Sequence, residues 1–200
     1  MVVKNPSRFP QVAEHFAHFF HNHIFKLTQK PVDGKRILPQ SCKQVKANPE
    51  KSAQSCDDLI AYIDGGSRGN PGPSGIGVVI EGARSGKITI GRWIGEQDNN
   101  VAEYVALLEA LQCAARLKAK KLHIYSDSEV VVRQMRGEYR CRSPRLYSLH
   151  WICRKLARGF DFSISHVERE ANAEANRLAA AALRQEISRH QISRRQVVTA

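Results

Sequence analysis

The sequence predicts an α/β fold in which a mixed sheet of five strands carries helices on both faces. Short apolar runs of strand length come first, and longer segments with apolar residues at helical spacing follow. Turn residues alone separate the first three strands, whereas helical segments separate the later ones. Two of the strands end on an aspartate. The predicted order is βββαβαβα, with the connection before the last strand divided into two helical segments.

Length and charge bound the kind of protein. A chain of 200 residues can bury one sizeable domain with an appendage, but not several independent domains. The net charge is +12 and the isoelectric point is near 9.8. Such a charge favours a polyanionic partner such as nucleic acid, because Lys and Arg release the counterions condensed on phosphates. A basic surface that serves solubility alone is the alternative.

Cysteine usage and hydropathy exclude several classes of protein. The five cysteines are scattered and form no CxxC pair, so neither a disulfide framework nor a zinc site is indicated: Cys42, Cys56, Cys113, Cys141 and Cys153. The chain has no stretch of about eighteen apolar residues, and its start lacks a continuous apolar segment. We therefore expect a cytoplasmic protein that does not enter a membrane.

Residues 1–57 differ from the rest in composition and pattern, and they are predicted to be an extension that ends in a linker. They are expected to be poorly structured or to form one short helix around HFAHFFHNHIF, whose Phe16, Phe19 and Phe20 would cover a surface. Four histidines lie here, but their mixed spacing favours a partly solvated helix over a metal site: His15, His18, His21 and His23. Docking to an unknown protein partner is a further hypothesis for this segment.

Regular signals begin near residue 58. LIAYID, IGVVI and KITIGRWI read as three strands of an antiparallel meander, joined by the loop GGSRGNPGPSG and the turn GARSGK. A long helix follows in DNNVAEYVALLEALQCAARLKA, with Asp98, Asn99 and Asn100 as candidate N-caps. These four segments open a domain that we place at residues 58–185.

The second half of this domain repeats the strand pattern. KLHIYSD is a strand that ends on Asp127, and SEVVVRQMRG is a short helix stopped by Gly137. SPRLYSLHWICRKLARG predicts another helix, DFSISHV a fifth strand, and the alanine-rich ANAEANRLAAAALRQ a terminal helix. The basic tail, residues 186–200, is expected to fray or to contact phosphate.

Three carboxylates are predicted to converge at one edge of the sheet. Right-handed crossovers favour a fourth strand that is parallel to the first and lies on the side away from the second. Asp64 and Asp127 would then end neighbouring strands, where ligands of open α/β sheets collect. Glu103 lies near the start of the long helix on the same side as Leu107 and Ala110, and therefore faces the sheet.

Such a cluster suits divalent cations. Three close carboxylates stay ionised together only if cations share the space, and oxygen ligands without His or Cys suit Mg²⁺ or Mn²⁺. Two ions about 4 Å apart are one solution for phosphodiester cleavage. Each residue alone has a structural interpretation, as a helix cap or as a partner of the helix dipole. Their joint convergence favours the metal site.

The residues also resemble a known family. YIDGGSRGNPGPSGIG, NNVAEYVALLEAL, IYSDSEVVVRQMRGEY and HVEREANAEANRLAAAAL are similar, in order and spacing, to the four signature blocks of type 1 ribonucleases H. The resemblance covers about two thirds of the chain. It implies a ribonuclease H-like fold and a metal-dependent endonuclease that cuts the RNA strand of RNA–DNA hybrids. The products would carry a 3′-hydroxyl and a 5′-phosphate.

The same resemblance implies roles for individual residues. Asp64, Glu103 and Asp127 would be the catalytic carboxylates and would bind Mg²⁺, with Mn²⁺ as an alternative. The expected nucleic-acid-binding residues come from the glycine loop and the start of the long helix: Gly66, Ser67, Asn70, Asn99 and Asn100. The three asparagines would lie along the minor groove, where ribose 2′-hydroxyls distinguish RNA from DNA. The loop alone is a weak signal, because a tight hairpin would use the same glycines.

The chain departs from the family pattern at Asn176, where the family places a fourth aspartate. Asparagine offers a neutral oxygen, so one negative charge is lost and a second metal should bind less firmly. Glu174 cannot substitute, because two helical residues away places it on nearly the opposite face. The alternative function is therefore a nucleic-acid-binding module with weakened or lost catalysis.

A second departure from the family pattern concerns how the substrate would be bound. No long basic protrusion separates MRGEYRCRSP from the next helix, so the chain resembles the compact branch of the family. Contacts to a hybrid would then come from the basic extensions and from exposed arginines, although a solvated surface is the alternative: Arg68, Arg140, Arg142 and Arg145. We expect a monomer.

Overall fold

The computed structural model describes residues 58–198, with side chains over residues 58–185. Its strands are β1 (Asp58–Ser67), β2 (Gly72–Glu81), β3 (Ile88–Gln97), β4 (Lys121–Ser126) and β5 (Asp161–His166). Its helices are α1 (Asn99–Arg116), α2 (Glu129–Arg136), α3 (Pro144–Ala157) and α4 (Ala173–Val198). Across the sheet the strands run in the order β3-β2-β1-β4-β5. The predicted fold class is confirmed.

Strand pairing follows the predicted topology. β1 pairs antiparallel with β2, and β2 pairs antiparallel with β3. β4 lies beside β1 on the side away from β2 and runs parallel to it, and β5 adds a further parallel strand. The carboxyl ends of β1, β4 and β5 therefore share one edge of the sheet.

The two faces of the sheet are covered by different helices. Leu59, Ala61 and Ile63 of β1 are at most 2% exposed, as expected for the face that packs on α1. On the other face, a Cβ added to Gly77 would lie 2.0 Å from the Ala175 carbonyl oxygen of α4. Asp64 pairs with Gly77 in the register and therefore points toward the α4 side.

On the first face, α1, α2 and α3 form a second layer. Tyr104 of α1 is fully buried, and its hydroxyl donates to the Gln134 Oε1 atom of α2 over 2.7 Å. The Cys153 thiol of α3 donates to the Tyr104 carbonyl over 3.8 Å. Leucines of α1 and α3 are buried on this face of the sheet: Leu107, Leu111, Leu146 and Leu149. A buried tyrosine hydroxyl needs a hydrogen-bond partner, so the bond between Tyr104 and Gln134 fixes α2 against α1.

Two boundaries differ from the prediction. The β1–β2 ladder continues to the pair Ser67–Ser74, so Gly66 and Ser67 lie in a strand and only residues 68–71 form the loop. Ladder hydrogen bonds extend the strand into a segment whose glycines had indicated a turn. α4 continues to Val198, past the expected boundary at residue 185, because no Gly or Pro interrupts residues 173–198. The prediction for residues 1–57 lies outside the described residues.

No helix within the described residues has both the length and the apolar composition that crossing a membrane requires.

Candidate active site

Three carboxylates meet where β1 and β4 end. One oxygen atom from each of Asp64, Glu103 and Asp127 lies within 4.8 Å of the other two. The register explains the closeness of the aspartates, because Ile63 of β1 pairs with Ser126 of β4 and an aspartate follows each of them. The predicted convergence is present in the structure.

Glu103 reaches the cluster because α1 lies directly against β1. A Cβ added to Gly65 would lie only 2.2 Å from the Ala102 carbonyl carbon, so glycine is required for this close approach. The Gly65 amide donates to the Glu103 Oε2 atom over 3.2 Å. Glu103 is 5% exposed, and its carboxylate is thus held at the sheet instead of in solvent.

Burial and mutual repulsion raise the pKa of two of these carboxyls. Burial first, and the charge of Asp127 second, raise the pKa of Asp64 to about 6. Burial and the charges of Asp64 and Asp127 raise the pKa of Glu103 well above its ordinary value. The Arg169 guanidinium lowers both pKa values, but by less than the other effects raise them. The fully ionised cluster is therefore unfavourable without further cations.

The donor set fits a divalent cation. Carboxylate oxygens are the ligands that Mg²⁺ and Mn²⁺ prefer, and neither His nor Cys belongs to the cluster. A cation bound there would remove the repulsion that raises the pKa of Asp64 and Glu103.

Asn172 connects both strand ends to α4. It is 1% exposed, and its Nδ2 atom donates to the Ile63 carbonyl over 2.8 Å and to the Asp127 Oδ1 atom over 3.1 Å. Two acceptors fix the orientation of the amide, and Ile63 immediately precedes Asp64. Asn172 therefore positions Asp127 and holds the end of β1 in place.

Asn176 lies one turn further along α4. Its Nδ2 atom donates to the Arg169 carbonyl over 3.2 Å, while its Oδ1 atom is buried and has no hydrogen-bond partner in the described structure. Such an oxygen is an unused acceptor, as expected of a neutral cation ligand. The bond to Arg169 also holds the segment whose guanidinium acts on Asp64 and Glu103.

Glu174 does not replace the missing fourth carboxylate. It forms an ion pair with Lys87, and its side chain is partly exposed. It also lines a small cavity of about 180 Å³ beside Tyr62 and Glu81. Glu174 thus lies away from the carboxylate cluster, as expected for a residue two helical positions from Asn176.

Of the residues expected to contact nucleic acid, Ser67, Asn70 and Asn99 are joined by hydrogen bonds. The backbone amide of Asn99 donates to the Asn70 Oδ1 atom over 3.0 Å, and the backbone amide of Ser67 donates to the Asn99 Oδ1 atom over 3.2 Å. Gly66 has open space where a Cβ would be, so its backbone is approachable. Asn100 is exposed in the first turn of α1. The loop and the start of α1 therefore form one polar ridge.

Sequence reasoning missed Gly65, Asn172 and Arg169. Gly65 was one glycine among several in its loop, and only the packing of α1 shows its purpose. Asn172 immediately precedes a helix, which predicts a cap and not a side chain that reaches two strand ends. Arg169 is exposed, and nothing in its local sequence indicates proximity to the carboxylates.

The part of the chain that carries the candidate site is similar to known proteins. Residues 62–182 match the family model described as reverse transcriptase-like. The chain is 41% identical over 125 residues to Ribonuclease HI of Halobacterium salinarum, and the match covers 62% of this chain. The chain spans just under two thirds, 63%, of that relative's length.

Solved structures show the same similarity. The crystal structure of RNase H1 from Halobacterium salinarum matches with a TM-score of 0.61 and 39% identity, over 64% of this chain and 98% of that chain. LC11-RNase H1, solved in complex with an RNA/DNA hybrid, matches with a TM-score of 0.60 and 35% identity, over 64% and 99%.

The fold and these neighbours define the ribonuclease H-like class of α/β proteins. Within that class, the chain belongs to the type 1 ribonuclease H family, whose reverse transcriptase-like model covers more than half of it. The predicted resemblance is confirmed.

Proposed function

We propose that this protein is an endonuclease that hydrolyses the RNA strand of RNA–DNA hybrids and leaves a 3′-hydroxyl and a 5′-phosphate. The observation that carries the proposal is the cluster of Asp64, Glu103 and Asp127 within 4.8 Å, in a chain of the type 1 ribonuclease H family. A solved relative in complex with an RNA/DNA hybrid supports the choice of substrate.

The three carboxylates hold divalent cations, with Mg²⁺ as the proposed metal and Mn²⁺ as the alternative. Asn176 is the proposed fourth ligand, through its buried Oδ1 atom. Bound divalent ions supply an activated water and stabilise the leaving oxygen of the phosphodiester. The loss of one charge at Asn176 predicts weaker binding of one of the ions.

The side chains of the protein prepare this chemistry. Glu103 is held by the Gly65 amide, and Asp127 is held by Asn172, so two of the three carboxylates have a fixed orientation before substrate arrives. Side-chain partners of this kind commonly set the affinity of a site for its metal. Arg169 adds a positive charge near Asp64 and Glu103, where the scissile phosphate would bring more negative charge.

The polar ridge is the proposed surface that binds the minor groove of the hybrid. Asn70 and Asn99 are joined by hydrogen bonds to each other and to the Ser67 backbone, and Asn100 is exposed beside them. Amide side chains can both donate to and accept from ribose 2′-hydroxyls in a minor groove. The open space at Gly66 lets a strand approach the backbone closely.

The test is cleavage of a labelled hybrid in the presence of Mg²⁺ or Mn²⁺. We expect cuts in the RNA strand alone, with 3′-hydroxyl ends, and no cuts in double-stranded DNA. A preparation that binds the hybrid but leaves it intact with both metals would contradict the proposal.

Asn176 favours a second candidate function, a module that binds hybrids with weakened or lost catalysis. Three negative charges hold two cations less firmly than four. Restoring the family residue with Asn176→Asp separates the two functions. Activity in the unsubstituted chain supports the nuclease, whereas activity that appears only in the variant supports the binding module.

We further propose that residues 58–185 form the catalytic unit, that residues 186–200 contact phosphate, and that the protein acts as a monomer in the cytoplasm. Sedimentation of the full chain, with and without a hybrid, tests the oligomeric state. A dimer at micromolar concentration would contradict the proposal of a monomer.

A further inference from the structure

Exposed aromatic rings and cations gather on α3 and the loop before it. Of the six large apolar side chains that remain exposed in the described residues, three lie in this segment. They are Tyr139, Tyr147 and Trp151, at 46%, 43% and 49% exposed. Residues 136–158 contain seven Lys and Arg but only one acidic residue, Glu138. Single exposed rings need no explanation, but a group of rings among cations does.

Five of these residues lie on one side of α3, which we call the outer face of α3. Each member lies three or four residues from another member, and the last one is the C-cap of the helix: Tyr147, Trp151, Arg154, Lys155 and Arg158. The Lys155 Nζ atom lies 5.1 Å from the centre of the Trp151 ring. Leu149 and Cys153 on the opposite side of α3 are buried, so the core does not need the outer rings.

The amino-terminal end of α3 lies beside the polar ridge. Arg145, in the first turn of α3, donates to the Asp98 Oδ2 atom over 2.8 Å, and Asp98 immediately precedes Asn99. A helix of 14 residues is about 20 Å long, so α3 leads away from the ridge over the length of a few nucleotides. At its side, Arg154 approaches Gly137, two residues before Tyr139.

We propose that the outer face of α3 binds an unpaired nucleic-acid strand that continues from the end of the hybrid. The inference rests on the proposed function, because the hybrid must occupy the neighbouring carboxylate site. In a duplex, each base is covered by its neighbours, so only unpaired bases can stack on Trp151 and Tyr147. The cations of the same face neutralise the phosphates between those bases.

The experiment measures binding with the full-length chain carrying Asp64→Asn, so that the substrate stays intact. Labelled hybrids are either blunt or extended by about six unpaired deoxynucleotides at the 3′ or 5′ end of the DNA strand. Fluorescence anisotropy should show about tenfold tighter binding of one extended hybrid. Adding Tyr147→Ala and Trp151→Ala should reduce its affinity to that of the blunt hybrid.

Two controls separate stacking from charge and from a general loss of stability. Trp93→Ala removes another exposed tryptophan, on β3, and should keep the preference for the extended hybrid. An extension without bases should lose most of the advantage, whereas Lys155→Gln should mainly weaken the dependence of binding on salt. Thermal melting of each variant checks that it is folded.

Three results would overturn the inference: equal affinity for blunt and extended hybrids, a preference that survives both aromatic substitutions, or an extension without bases that binds equally well. The second would show that the rings do not contact the unpaired bases. Failure of the proposed function is seen separately, as intact blunt hybrid after incubation of the unsubstituted chain with Mg²⁺ or Mn²⁺.

Discussion

The two sides of the candidate active site are built in different ways. On the side formed by the ends of β1 and β4 and the start of α1, which we call the strand side, Asp64, Glu103 and Asp127 bring three carboxylates together. Burial raises the pKa of Asp64 and Glu103 there. On the other side, formed by α4 and the residue before it and called the helix side here, Asn172 and Asn176 bring two amides. In the proposed site, the strand side would therefore supply the charge that binds cations, whereas the helix side would supply hydrogen bonds and a neutral oxygen. Substitutions on either side should have separable effects.

The largest effect is expected from Asp64→Asn on the strand side. Removing one of three proposed ligands should lower the rate of hybrid cleavage at least about 100-fold, because these carboxylates would hold the cations that stabilise the developing charge. The rate with saturating Mg²⁺ is the measurement, and circular dichroism checks the fold. Cleavage within threefold of the unsubstituted chain would remove Asp64 from the catalytic group.

A smaller effect is expected from Asn172→Ala on the helix side. Asp127 would lose its orienting hydrogen bond, so metal affinity or activity should fall about 10- to 100-fold. The Mg²⁺ concentration that gives half-maximal cleavage should rise more than the KM for the hybrid. Asn100→Ala, at an exposed position, is the matched control for metal dependence. If both variants need the same Mg²⁺ concentration, Asn172 has no positioning role.

Asn176→Asp, on the helix side, should strengthen the binding of Mg²⁺. One additional charge about 4 Å from a divalent cation contributes about 2 kcal/mol even in water, so Mg²⁺ should bind about 30-fold more tightly. Cleavage at limiting Mg²⁺ measures the change. Glu174→Gln alters a charge two residues away, in the ion pair with Lys87, and should leave metal dependence unchanged. A loss of cleavage in Asn176→Asp would count against the proposed ligand role.

The last expected effect concerns stability and pH instead of the rate of cleavage. The pKa of Asp64 is raised from 3.8 to about 6, so the folded state holds its proton more firmly than the unfolded state does. In metal-free protein this carboxyl lowers the free energy of unfolding as the pH rises from about 4 to about 6, by up to about 3 kcal/mol.

Divalent cations should therefore stabilise the protein above that range. At pH 8, Mg²⁺ should raise Tm by on the order of 5 °C, and at pH 5 by less, because protonated carboxyls bind cations poorly. Differential scanning calorimetry with Mg²⁺ or EDTA checks both values. An equal shift in Asp64→Asn would place the stabilising cation elsewhere.

The strand side of this comparison was predictable, whereas on the helix side Asn176 was predicted and Asn172 was not. Asp64 and Asp127 end apolar strands, and Glu103 lies at helical spacing from Leu107, so a pattern of local periodicity indicates where each carboxylate points. Asn172 acts across 45 residues on Asp127 and across 109 on Ile63. No local pattern contains such contacts.

By itself, the sequence determined the order of strands and helices, the three carboxylates and the departure at Asn176, because these depend on side-chain period and residue type. Only the tertiary structure decided that Gly65 lets α1 touch β1, that Asn172 orients Asp127, and that the rings of α3 stay exposed. These features depend on how separate elements pack against one another, and packing geometry is set by contacts between residues far apart in the chain.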